Sequence, residues 1–454
     1  MMVFKGDLMK NKTQNIILYI ILLSYFLILF DNSVLFIGSL QIKENLHISE
    51  STLSWIANAY TITFGGALIL SGRLGDLYGR KNVFLIGLII FGVSCFTISS
   101  SNSVTNIIVL RALQGIGASA ITSNSLALLI SSFHNSKRKK AVTYYGMTGG
   151  IGLAFGLVFS GFLVDFFSWR AGFFINGLLT FILLSLSLLK LKPSLSSTSR
   201  IDKIGAVLSI ATPLIFILGI VNQSVFLIFL SLLLLITFII VESKQKKPLI
   251  PLTIFKNKIR ASSYALRFLM MMALFPYWFI MPQILKQIYN FNSLIIGLCF
   301  LPLTVMNFIT ASLIPQLLSK FNKNKIILLA QALLVLASVL SLVMPIEIGY
   351  WKSVFIPMIL FGAGNGLLIA PLTIDGVDGI DKNYSGIASG ITNTMNQLGG
   401  PTGLAIIMSF VSSNVTKISY YHSVICFIIL FTSLAFLYSS ITIIKKFFMS
   451  QKNR

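Results

Sequence analysis

Long apolar runs separated by short polar gaps dominate the sequence. Fourteen runs, at 15–38, 53–74, 82–100, 105–131, 139–165, 170–190, 204–221, 224–242, 262–285, 294–318, 325–345, 352–371, 385–412 and 419–443, predict helices. Each suits a membrane span, since about 20 apolar residues cross the hydrocarbon layer as a helix. The first run is too long for a signal-peptide core and no clear cleavage site follows it, so it reads as the first span. The bases test the count. With the N-terminus inside, 28 of the 35 lysines and arginines fall on one side and five (Lys43, Arg170, Lys286, Lys352 and Lys417) on the other. Arg111 and Arg267 remain within helices, and Arg267, near an inner end, is read as snorkelling. The bias predicts that both termini are cytoplasmic, whereas an odd number of helices would invert the second half and spoil it.

Composition agrees. The 454 residues are 56% hydrophobic and 10% charged, against about 25% charged in soluble domains. A net charge of +23 would suit a nucleic-acid partner, but bases gathered in alternate gaps are a topology signal and not a phosphate groove. Cys95, Cys299 and Cys426 sit in apolar runs, and the three histidines are scattered, so no metal site is expected. A bias toward Ile, Leu, Asn, Lys and Ser hints at a bacterial source.

The most specific string is Gly72-Arg73-Leu74-Gly75-Asp76-Leu77-Tyr78-Gly79-Arg80-Lys81, a short turn between two spans. Its glycines permit tight backbone and close helix approach. Asp76, an acid among three bases, could latch two helix bundles together, and a latch that opens is a gate. The string resembles the loop between helices 2 and 3 of the major facilitator superfamily, G-x-L-x-D-x-x-G-R-K. Three echoes suggest an internal repeat: 74–81 with 318–325, Gly115-Ile116-Gly117 with Gly362-Ala363-Gly364, and Gly149-Gly150 with Gly399-Gly400, at offsets of 244, 247 and 250. The layout is similar to the fourteen-helix drug:proton antiporter branch of that superfamily, as is the stretch 247–255. The fold expected is therefore an all-α integral membrane protein of the major facilitator type. Residues 1–192 and 261–454 would form two six-helix bundles, and 193–260 a linker carrying an inserted helix pair.

Two charged residues lie inside spans and carry the candidate chemistry. Asp31, of the twelve acids, is the one well inside a predicted helix. A buried carboxylate is expensive unless paired or protonated, and a group whose proton affinity depends on which side is open can couple a proton to a substrate. Its surroundings resemble the helix-1 motif of the antiporters, with a D-x-[ST]-V core; the alternative is a hydrogen-bonded structural Asp near the outer interface. Arg111 needs an acceptor in its span, with Gln114 and Ala118 on its helix face. The segment resembles the family's helix-4 motif, R-x-x-x-G-x-G, associated with proton transfer, and the expectation is that Arg111 lies near Asp31 or helix-1 carbonyls. The alternative is a snorkelling or purely structural arginine.

Helix 5 repeats glycine. Gly152, Gly156 and Gly161 fit the antiporter motif G-x-x-x-G-P-x-x-G-G, while Leu157 and Ser160 depart from it, which weakens the motif's case for antiport over symport. Small residues there suit close packing and sliding. The following Ser168-Trp169-Arg170 turn reads as an interfacial anchor. Gln114, Tyr145, Met271, Phe275, Trp278 and Asn393 are candidate substrate contacts; the methionines and aromatics of helix 9 are soft or flat groups that could repack around varied planar cations or serve as ordinary lipid-facing or core packing. Asp375, Asp378 and Asp381 flank an inner helix end and are read as solvated acids; the alternative is that they pair with inner-face bases when the gate closes.

The resemblance implies a proton-coupled exporter of lipophilic, often cationic drugs working by alternating access, monomeric in a bacterial cell membrane. It implies no cofactor, and no G-x-x-x-x-G-K-[ST] loop is present to suggest ATP. The alternative is a carrier of the same fold for one metabolite or lipid. An enzyme would need a catalytic cluster of His, Asp, Ser or Cys near one interface, and the sequence shows none.

Overall fold

The computed structural model describes residues 2–133, 135–192, 202–245, 248–380, 385–411 and 416–452. Arg200, Lys246, Lys247, Asp381 and Lys382 lie outside the described residues. Among the described residues every regular element is helical. In chain order the long helices are α1 (Met2–Leu46), α2 (Glu50–Tyr78), α3 (Arg80–Ser100), α4 (Val104–Ser132), α5 (Asn135–Phe166), α6 (Trp169–Lys190), α7 (Lys203–Val221), α8 (Val225–Lys244), α9 (Lys258–Tyr289), α10 (Ser293–Lys320), α11 (Lys323–Val343), α12 (Tyr350–Val377), α13 (Ser385–Phe410) and α14 (Lys417–Lys452). The polar gaps supply the starts. Ser49, Ser103, Asp202, Ser224, Asn257, Asn292 and Asn322 each accept a backbone N–H of the helix that follows, satisfying donors that have no partner within the first turn. α10 breaks at Phe300, one residue before the segment that carries Pro302, where proline withholds its N–H.

Among the described residues, twelve helices are long and apolar enough to cross a membrane, and α5 makes thirteen if its two parts, bent by 41° between Gly149 and Gly152, are one span. The expected fourteenth, α13, does not reach that apolarity. Protein encloses α13: it packs on α2, α7 and α9, and Thr394 Oγ1 donates to the Gly65 carbonyl at 3.0 Å. Polar groups satisfied inside the protein are tolerated at membrane depth, whereas lipid-facing ones are not. α2 shows the same logic in its burial. Some 89% of its most apolar window is buried, against 11% for α8, which lies at the periphery.

The packing repeats. α1 lies on α4, α5 and α6, α2 on α4, and α3 on α4 and α6; equally, α9 lies on α12, α13 and α14, α10 on α12, and α11 on α12 and α14. The glycine echoes fall at matching contacts. A Cβ on Gly115 would strike Tyr60 and Thr63 of α2, and one on Gly362 would strike Leu303 of α10. A Cβ on Gly117 would strike Gly87 and Phe91 of α3, and one on Gly364 would meet Ala330 and Leu334 of α11. The main seams joining the two sets among the described residues are α2 with α13, α5 with α10, and α1 with α9. α7 lies on the first of these, against both α2 and α13.

Candidate functional site

Asp31 on α1 and Arg111 on α4 are both wholly buried and joined by a 2.5 Å ion pair from Arg111 Nη1 to Asp31 Oδ2. Five further residues complete the shell. Gln114, one turn along α4, donates through Nε2 to Asp31 Oδ1 at 2.7 Å and accepts from Arg111 Nη1 at 2.7 Å. Asn176 of α6 donates to Asp31 Oδ1 at 3.4 Å and to the Leu27 carbonyl at 3.2 Å. Arg111 Nε donates to the Ile56 carbonyl of α2 at 3.1 Å. Its guanidinium lies 4.2 Å from the Tyr60 ring centroid, a cation–π distance. Cys95 of α3 receives a 2.9 Å contact from Gln114 Nε2.

Such a pair is tolerated in a span because its charges cancel and most of its other donors and acceptors are filled. The glycines set the distances. Gly152 meets Phe26 and Leu29, and Gly156 meets Phe30 and Ser33, so α5 presses on the turns of α1 that flank Asp31. Among the described residues, three atoms of the cluster stay without partners: Arg111 Nη2, the Tyr60 hydroxyl and Asn176 Oδ1. Protonating Asp31 would remove the charge that holds Arg111, so a proton and the integrity of this cluster are linked.

The polar loop ties α2, α3 and α4. Gly79, at φ 91°, occupies a conformation that favours glycine, between the end of α2 and the start of α3. Arg80 Nη2 donates to Asp76 Oδ1 at 3.0 Å and its Nη1 to the Ala127 carbonyl of α4 at 3.5 Å. Lys81 Nζ reaches the Leu191 and Leu188 carbonyls at the end of α6. A Cβ on Gly75 would strike Asn124. The expected latch across two bundles is therefore not what Asp76 makes in this conformation, for its partner Arg80 is four residues away on the same half. Gly72 and Arg73 face a cavity of about 460 Å³ on this side, shared with Asp76, Arg80, Tyr25, Tyr145, Pro248, Gly390 and Asn393, within the size range of small-molecule sites.

Of the six expected substrate contacts, Tyr145 and Asn393 line that cavity. Tyr145 stacks on Tyr25 with ring centroids 4.5 Å apart. Gln114 belongs instead to the ion-pair cluster and is wholly buried. Met271 and Phe275 pack on Gly399 and Gly400 of α13, and Phe275 meets Phe36 edge-on at 5.5 Å. Trp278 lines a narrow crevice with Phe36, Leu153, Leu157, Phe300, Leu303 and Thr304. Packing, not accessible volume, absorbs these α9 side chains.

Other expectations change as well. Asp375 is buried and paired with Lys323 at the start of α11, as the alternative reading of pairing with an inner-face base has it, while Asp378 is exposed as expected; Asp381 lies outside the described residues. Trp169 is buried, with its backbone N–H held by Gln41 and its indole by Asn45 Oδ1 at 3.1 Å, and so joins α6 to α1. Arg267 does not snorkel but is 5% exposed and bonded within the protein. Asn176, an amide in an otherwise apolar run, was the overlooked signal of the Asp31 cluster; Asp165, which accepts the Ser293 and Leu294 N–H groups of α10 at 2.7 and 2.8 Å, was another.

Known proteins share this plan. Residues 21–404 match the model of the Major Facilitator Superfamily. The chain is 26% identical over 396 residues to the uncharacterized MFS-type transporter EfpA of Mycobacterium tuberculosis, covering 84% of this chain and 74% of that one. It is 27% identical over 404 residues to the puromycin resistance protein of Streptomyces alboniger, covering 86% and 80%. It is also 27% identical over 423 residues to the cephamycin export protein of Amycolatopsis lactamdurans, covering 90% and 87%. Crystal structures of the nucleoside transporter NupG (TM-score 0.64, 14% identity, 94% of this chain and 98% of that one) and of the human organic anion transporter MFSD10 (0.62, 14%, 94% and 99%) share its fold. With twelve or more helices fit to span a bilayer, the signature loop between α2 and α3, and a family match over most of its length, this multi-pass membrane protein belongs to the Major Facilitator Superfamily.

Proposed function

We propose that the protein exports lipophilic drugs, cationic ones among them, from a bacterial cell by alternating access, driven by the proton gradient without a cofactor. The observation that carries the reading is the sealed Asp31–Arg111 pair within the first six helices. Names of relatives support the cargo, for these are resistance and export proteins for puromycin, cephamycin and lincomycin. In this reading α13 and α5 are full spans, giving fourteen, and the α2–α3 loop faces the cytoplasm, as do both termini. The chain acts as a monomer, with α1–α6 and α9–α14 moving as two bundles about the α1–α9 seam. Charge bias supports that orientation.

The cavity beside Gly72 and Tyr145 then opens inward. The far side is closed by α5 on α10, where a Cβ on Gly161 would strike Ser293 and Leu294. Drug binding favours loss of the Asp31 proton inside, and the charged Asp31–Arg111 pair accompanies the loaded turnover. Reprotonation outside frees Arg111 and permits return.

The test is efflux of a fluorescent cation such as ethidium from vesicles holding the purified protein under an imposed pH gradient. Wild type is expected to respond to the gradient and Asp31→Asn to lose that response. Equal gradient-driven transport by both would refute the coupling role.

A further inference from the structure

Arg267, like Arg111, is an arginine buried well inside a span, and among the described residues no carboxylate pairs with it. Its Nη1 donates to the Ile369 carbonyl at 3.1 Å and its Nη2 reaches Thr373 Oγ1 at 3.4 Å, both on α12. Its Nε has no partner. Neither acceptor bears a formal charge, and among the described residues the ion pairs lie elsewhere: Lys43–Glu50, Arg80–Asp76, Arg111–Asp31 and Lys323–Asp375. A guanidinium in a span without a counter-charge is expensive, and its fork of donors matches a carboxylate or phosphate in two-point geometry.

Its position is central. α9 packs against both α1 and α12. Tyr25, on the α1 helix that α9 packs against, lines the cavity. The charged groups on the cavity wall sum to a positive balance. Asp76 is bound to Arg80, and Arg73 is left over. A planar platform is present too, for the Tyr25 and Tyr145 rings stack at 17°.

We propose that Arg267 is the anion-recognising residue of the substrate site. It takes the carboxylate, sulfonate or phosphate group of a lipophilic aromatic substrate whose ring lies against the Tyr25–Tyr145 pair. This rests on the export reading for the cavity and adds a charge requirement to it. A positive group elsewhere on the substrate is compatible, so amphoteric drugs fit.

The test compares N-dansyl-leucine, a lipophilic aromatic carboxylate, with its neutral methyl ester. Binding to full-length protein in lipid nanodiscs is followed by dansyl fluorescence. Wild type is expected to bind the acid about tenfold more tightly than the ester, as a charge-assisted hydrogen bond allows. Arg267→Gln is expected to bring the acid down to the ester's affinity and leave the ester unchanged, with Arg267→Lys in between. Unfolding of the unliganded Arg267→Gln variant is expected at the same temperature or higher, since an unpaired charge has been removed. Equal binding of acid and ester by wild type overturns the proposal without recourse to any variant. So does an Arg267→Gln variant that loses both ligands together and unfolds early, which marks a structural arginine. Uptake of both probes into vesicles under a pH gradient separates the two claims. If both are carried and bound alike, the anion site falls and export stands. If neither is carried yet wild type prefers the acid, export falls and the anion site stands.

Discussion

Two arginines sit at membrane depth in this protein, and the structure settles their charges in opposite ways. Arg111 is enclosed with Asp31, Gln114 and Asn176, so the first six helices hold a neutral polar core. Arg267 has a carbonyl and a hydroxyl and, among the described residues, no paired acid, so the last six hold an uncompensated positive charge inside a span. Because the helices around them pack in the same order, the difference lies in side chains and not in architecture. A neutral pair is suited to being made and broken by a proton, and a lone charge to being completed by a ligand.

The largest expected effect breaks the first arginine's arrangement. Asp31→Asn leaves Arg111 charged and uncompensated, and removing one partner of a buried pair costs about 3–5 kcal/mol. Thermal unfolding in detergent should fall well below wild type, and the double variant Asp31→Asn, Arg111→Gln should recover much of that stability without recovering gradient-driven transport. Recovery of transport would mean the pair is structural.

Next come the matched glycines. Gly115→Val and Gly362→Val each push a side chain into backbone of the facing helix, and overpacking of this kind costs roughly 1–3 kcal/mol. Similar losses in both would sharpen the likeness between halves; a loss in one alone would limit the repeat to chain path. Smaller still is Asp165→Ala. That carboxylate accepts two N–H groups at the start of α10 from across the α5–α10 seam, and a lost cap costs about 1 kcal/mol. The substitution should favour opening on that face, read as faster alkylation of a cysteine placed at Ser293. Least in magnitude, and opposite in sign, is Arg267→Gln, expected to raise unfolding temperature by a degree or so without ligand, as a fraction of a kcal/mol would. A fall would show that the two arginines are less different than they look.

Much of this was written in the chain. Runs of apolar residues marked nearly every helix, and Asp31 and Arg111 stood out because charge at membrane depth demands a partner. Their contact at 2.5 Å is what that demand predicts. What could not be read was direction. Gln114 lies one turn from Arg111 and looked available to a substrate, yet it turns toward Asp31. Met271 and Phe275 had the right chemistry for a pocket but lie against glycines of α13, a neighbour more than a hundred residues away. Asp375 found Lys323 across helices α12 and α11, a pairing that no local pattern announces. α13 itself was legible as a helix, but its polarity made sense only once α2, α7 and α9 were seen to surround it.

The inserted pair has a geometric outcome of its own. A doubled unit of six helices would show the lipid two equivalent flanks, one along α2 and α13 and one along α5 and α10. α7 is laid over the first, with α8 outside it, and no described helix is laid over the second. The molecule thus acquires a front and a back. A hydrophobic compound wandering in the plane of the bilayer meets a wall on one flank and, on the other, a single line where the halves part.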